Sequence, residues 1–204
     1  MELMATCFRS SEYCAHEMSI FEPLEQTGDV YFSKQPNDIK QLKHIFARDQ
    51  NLYVIYMGRD PRAVITSEHK ESPDQYFCNY RVWSECDRAS QYYLGHPRFL
   101  HLRYEDLVAD PDSAQDVIKS QFDFLHYQHP FSEYQKFAEP SEAASTAMNG
   151  LREVNTSSVD KWREHLPHLV KQYQLHPELA DDLIRLRYEP NQSWLVELSR
   201  IAPI

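Results

Sequence analysis

The run Leu52–Met57 has strand character and ends abruptly in Gly58-Arg59-Asp60-Pro61-Arg62. That junction constrains the fold more than any other stretch. Val54, Ile55 and Tyr56 follow one another without polar alternation, the pattern of a strand covered on both faces. Pro61 suits the first position of a helix and Asp60 can cap it. A buried strand that turns straight into a helix is the opening of an α/β unit.

Other segments extend the pattern. Met1–Phe8 reads as the end of a helix with Leu3, Met4 and Cys7 on one face. Tyr13–His16, Val30–Ser33 and "RFLHLR" (98–103) have strand character. Asp38 can cap a helix over Ile39–Arg48, with Ile39, Leu42, Ile45 and Phe46 as its apolar stripe. Gln75–Leu94 reads as a longer helix. A helix over "DPDSAQDVIKSQFDFL" would turn Val117, Ile118, Phe122 and Leu125 inward. Ser157–Leu166 and Pro177–Tyr188 are further helices, and 127–150 is irregular. Strands alternating with helices predict a three-layer α/β fold, a parallel sheet flanked by helices. No repeat or low-complexity linker divides the chain, so residues 1–204 are expected to form one domain.

The formal net charge of −10 over 204 residues argues against a nucleic-acid binder, which needs a basic face. Any anion site must therefore rest on a few local cations. Cys7, Cys14, Cys78 and Cys86 show no CxxC spacing, which suits unpaired thiols in a reducing compartment and still allows one disulfide. No apolar run reaches the length of a membrane span, and no signal peptide is visible. The expected location is cytoplasmic.

In an open α/β sheet, ligands sit beyond the carboxyl ends of the strands, which is where Arg59 falls. Arginine grips phosphate through two parallel hydrogen bonds, and a helix start adds N–H donors. Spacing alone leaves two readings open: a phosphate site, or a surface ion pair of Asp60 with Arg62 and an Arg59 that merely ends the strand.

"VIYMGRDPRAVITS" resembles the 3′-phosphate-binding segment of the sulfotransferases that use 3′-phosphoadenosine 5′-phosphosulfate. In that family an Arg ends a strand and a Ser follows eight positions later, which here are Arg59 and Ser67. "FLHLRYEDLVADP" (99–111) resembles the strand-to-turn segment that places a Tyr near the adenosine, here Tyr104. "VNTSSVDKWREHLP" (154–167) is similar to the late loop and Lys-Trp helix of the protein-tyrosine sulfotransferases and their bacterial relatives. That similarity implies Lys161 near cofactor phosphate, Arg152 among the cofactor-binding residues, and Trp162 packed beneath the loop. "VYFSKQPNDIKQL" resembles the strand whose Lys neutralises the sulfuryl group in flight, here Lys34. "YCAHEMSIFEPL" resembles the segment that supplies the base, which is either His16 or Glu17.

The resemblance runs over roughly residues 1–165 and implies a sulfotransferase (P-loop NTPase-like) fold with its first strand and loop missing. The Gly-Thr-Thr-type loop that holds the 5′-phosphosulfate has no counterpart: Gly28, Gly58, Gly95 and Gly150 are scattered. The expectation is an N-terminally shortened version of a longer chain. The implied reaction moves a sulfuryl group from the nucleotide co-substrate to an acceptor hydroxyl or amine, small molecule or peptide. Its alternative is a non-catalytic module that binds 3′-phosphoadenosine nucleotides or a protein partner. The reaction requires no metal. His126/His129 and His165/His168 have HxxH spacing without an evident third ligand.

Overall fold

The computed structural model describes residues 1–9, 12–21, 30–69, 72–140, 145 and 150–201, and the side chains of 12–17 and of 69 and 72–74 lie outside what it describes. In chain order the helices are α1 (Glu2–Cys7), α2 (Leu42–Phe46), α3 (Pro61–Ile65), α4 (Tyr80–Gln91), α5 (Tyr104–Ala109), α6 (Pro111–Gln121), α7 (Tyr134–Phe137), α8 (Leu166–Leu175), α9 (Leu179–Arg185) and α10 (Leu195–Ser199). The strands are β1 (Glu12–Glu17), β2 (Tyr31–Lys34), β3 (Val54–Gly58), β4 (Glu68–His69), β5 (Ser72–Tyr76) and β6 (Phe99–Arg103). The architecture is mixed α/β. Among the described residues the strands pair two by two: β1 with β2, β3 with β6, and β4 with β5. The β1/β2 pair is parallel and β4/β5 is antiparallel.

The chain groups into two compact units, each made of two separated stretches: Met1–Met57 with Tyr92–Asn155, and Gly58–Gln91 with Thr156–Ile204. Two of the three crossings fall at regular elements, one inside β3 and one at the end of α4. That is why composition offers no place to divide the sequence.

The first unit packs around Phe8, Leu102, Ile118, Phe122, Leu125 and Phe131. Asp110 caps α6, its carboxylate accepting from the Ser113 N–H at 3.1 Å. Ile118, Phe122 and Leu125 are buried as expected, but Val117 is 46% exposed. One step from Ile118 around the helix carries Val117 off the core-facing stripe. Asp38 does not cap a helix either. It lies inside a 3-10 segment, Pro36–Gln41, that precedes α2. Its buried carboxylate accepts instead from the Ser19 hydroxyl at 2.9 Å and the Ile20 N–H at 2.7 Å. Asp38 thus fastens the chain leaving β1. Gln115 holds three backbone groups together: its amide donates to the carbonyls of Cys7 (3.3 Å) and His129 (2.9 Å) and accepts from the Phe131 N–H (3.0 Å).

The second unit packs around Ile65, Tyr80, Trp83, Trp162, Leu169, Leu179, Leu183 and Leu198. The helix expected over Gln75–Leu94 begins later, at Tyr80, and β5 occupies Ser72–Tyr76. Asn79 sets that start, accepting at its side chain from the Val82 N–H at 3.0 Å. Between Lys161 and His165 the chain is a 3-10 segment and becomes α-helical only at Leu166. Tyr80 and Trp83 are core residues, whereas Phe77 is 64% exposed. Cys7, Cys78 and Cys86 are free thiols.

Candidate functional site

The β3-to-α3 junction forms as the residues dictate. Asp60 caps α3, accepting from the Arg62 N–H at 2.8 Å, and Pro61 takes the first helical position. Arg59, just past β3, reaches across the chain: its Nη2 donates to the carbonyl of Ser158 at 2.7 Å. Ser158 ends a short 3-10 turn, Thr156–Ser158, three residues before Lys161. The strand-end arginine and the late loop, 99 residues apart, are therefore joined directly within the second unit. Ser67 is half-buried at the exit from α3. Its carbonyl accepts from the Phe77 N–H at 3.0 Å, closing the base of the β4–β5 hairpin. Lys161 is exposed, and Trp162 beside it is buried in the core.

Arg62 is where the structure departs most from the sequence reading. Its pairing with Asp60 is not a surface contact, since the two side chains are 5% and 7% exposed. The guanidinium grips Asp60 with Nε at 3.1 and 3.2 Å and Nη2 at 2.7 Å, and Nη1 donates to Glu189 at 2.5 Å. Its central carbon lies 4.1 Å from the ring centroid of Trp162 and 5.2 Å from that of Trp194. Burial works to lower its pKa, and the bonds and charges of Asp60 and Glu189 more than reverse that, so the net shift is upward. Glu189 follows Arg187, whose φ of +62° ends α9 and turns the chain. The partners are 2 and 127 residues from Arg62. The near one is legible from the Asp-Pro-Arg spacing, and no local pattern announces the far one.

A second polar cluster lies at the start of α8. The His168 ring stacks on Tyr76 with centroids 3.6 Å apart, and His165 Nδ1 is 3.5 Å from Glu68. Burial lowers the His168 pKa, a backbone hydrogen bond at Ile65 opposes it, Lys171 and His165 lower it further, and Glu68 raises it. Among the described residues no group of three or more His, Cys, Asp or Glu is placed to hold a metal ion. His129 stacks on Phe137 at 3.7 Å.

In the first unit the parallel register sets Glu17 opposite Lys34 at the Cα level. The side chains of His16 and Glu17 lie outside what the structure describes. Lys34 is exposed at the end of β2, and its carbonyl accepts from the Met18 N–H at 3.1 Å. Tyr104 is the half-buried first residue of α5, directly after β6, and Arg152 is exposed. Two of the expected reaction residues, Glu17 and Lys34, are thus neighbours in one strand pair. Arg59, Ser67 and Lys161 belong to the second unit, and Lys34, Tyr104 and Arg152 to the first.

No helix among the described residues is long and apolar enough to cross a membrane. Compared with protein-family models and with curated proteins, the chain matches none.

Proposed function

We propose that the chain binds a 3′-phosphoadenosine nucleotide through Arg59 and Ser67 and acts as a sulfotransferase on an acceptor hydroxyl or amine, with the three-layer fold of that class. The observation that supports this most is the Arg59–Ser158 hydrogen bond. It joins two segments that resemble the same nucleotide site from distant parts of the sequence. The Glu17–Lys34 register adds support for the reaction residues.

In this reading Arg59 and Ser67 hold the 3′-phosphate, and Lys161 contacts the rest of the nucleotide. The bond between sulfur and the bridging oxygen of 3′-phosphoadenosine 5′-phosphosulfate breaks as the acceptor atom bonds to sulfur. The acceptor proton passes to His16 or Glu17, and Lys34 offsets the charge growing on the bridging oxygen. Positioning and charge stabilisation carry such a transfer, as they do for phosphoryl groups.

Calorimetry with 3′-phosphoadenosine 5′-phosphate and with AMP tests the binding. The 3′-phosphorylated nucleotide should bind tighter, and Arg59→Ala should remove about 1.5–3 kcal/mol of that preference. Equal affinity for the two nucleotides sinks the assignment. Turnover of labelled donor with phenols, alcohols and amines tests the chemistry. Lys34→Ala should lower turnover more than it weakens nucleotide binding, and binding without turnover would leave a nucleotide-binding module.

A further inference from the structure

We infer that Arg62 is a positioning residue for the 3′-phosphate site: it holds the turn that carries Arg59 and the loop that carries Ser158 and Lys161 in one fixed arrangement. The inference rests on the nucleotide reading above and assigns no contact of Arg62 with the ligand itself.

Two arginines three residues apart bridge the same two segments. Arg59 reaches the loop through the Ser158 carbonyl. Arg62 reaches it through the face of Trp162, the residue after Lys161, at 4.1 Å. At its other edge Arg62 holds the turn, because both oxygens of Asp60 are engaged by its guanidinium. Asp60 also accepts from the Arg62 N–H, which ties the start of α3 to the same carboxylate. Glu189 and Trp194 close the remaining sides.

A planar fork suits this place and an ammonium does not. The guanidinium offers parallel donors to Asp60, another donor to Glu189, and a flat face to Trp162 at the same time. Lysine keeps the charge and gives up the fork and the stacking. A site that binds by aligned hydrogen bonds needs its supporting shell fixed to a fraction of an ångström. The Arg59 guanidinium, oriented on a loop that Arg62 pins, meets that need.

The test compares the wild-type chain with Arg62→Lys and Glu189→Gln. Each is titrated with 3′-phosphoadenosine 5′-phosphate and with AMP, and each is melted without ligand. In Arg62→Lys, folded at the assay temperature, affinity for the 3′-phosphorylated nucleotide should fall about tenfold or more while AMP affinity holds within about twofold. Glu189→Gln loosens only the outer tie and should lose about threefold of the preference. A merely structural arginine would lower the melting temperature and scale both affinities together. An unchanged preference in folded Arg62→Lys overturns the inference. Should that variant not fold, an unchanged preference in Glu189→Gln overturns it. A wild-type chain that does not distinguish the two nucleotides removes the functional reading and this inference with it.

Discussion

In the second unit Arg62 carries a full charge among tryptophan rings and meets Asp60 and Glu189 there. The first unit takes in Gln115 instead, a neutral amide whose three hydrogen bonds all go to backbone groups. Its arginine of comparable importance, Arg98, donates to the carbonyls of Phe46, Asp49 and Leu52 and lies over the Phe46 ring. Charge pairing recurs in the second unit, where Arg185 joins Asp182 to Asp87, and Asp182 also accepts from the neutral Tyr80 hydroxyl at 2.6 Å. The contrast teaches where each unit is sensitive. Removing one partner of a buried ion pair strands a charge, whereas removing an amide strands dipoles.

The largest expected effect follows from that asymmetry. Asp60→Ala should cost about 3–5 kcal/mol in urea unfolding, because Arg62 loses its bidentate partner and α3 its cap. A loss under about 1 kcal/mol would show that Glu189 alone neutralises Arg62. Next in size, Gln115→Ala should cost about 1–3 kcal/mol, with the Cys7 and His129 carbonyls and the Phe131 N–H left without their partner. Native-state hydrogen exchange should place the first loss among second-unit amides and the second among first-unit amides. The reverse assignment would break the comparison.

Acid and alkali should separate the units further. The folded pKa of His168 is depressed, so its contribution is present above the ordinary histidine value near 6.5 and is lost as pH falls below it. Amide protection in the second unit should therefore drop between about pH 7.5 and pH 5.5, and His168→Phe, which keeps a ring on Tyr76, should flatten that drop. The Cys7 thiol, buried and near Asp112, is pushed from 9.0 up to about 12. Its contribution is intact below 9.0 and declines as pH rises toward 12, so Cys7→Ala should flatten the alkaline loss of protection in the first unit. The smallest effect serves as the baseline: Glu85→Gln, which breaks the exposed pair with Arg81, should move stability by no more than about 0.5 kcal/mol.

What the sequence disclosed is what acts within a few residues. Asp60 with Pro61 and Asp110 with Pro111 mark helix starts that form where those pairs stand. Asp38 is also a capping residue, though no proline follows it, and its carboxylate is drawn to Ser19 and Ile20, 19 and 18 residues away. The strand at Ser72–Tyr76 is not legible in the sequence because its antiparallel pairing with β4 outweighs local preference. In the candidate site Arg59 stood out by its place at a strand end. Its bond to Ser158, and the burial of Arg62 against Trp162 and Glu189, depend on chain brought from 99 or more residues away. Residue-by-residue patterns do not encode which distant segment arrives.

The interleaving of the two units imposes an order on folding during synthesis. A ribosome finishes the first unit when residue 155 is made, but the earlier stretch of the second unit, Gly58–Gln91, must wait for chain beyond residue 156. At about 5–20 residues per second that wait is on the order of several seconds. Throughout it Ile65, Tyr80 and Trp83 lack the Trp162, Leu169 and Leu183 they are buried against. Arg62 spends the same interval without Glu189, its carboxylate partner from the far end of the chain. The nascent protein thus carries an uncovered half-core while its neighbour is still being made, the stage at which a chaperone would have most to hold.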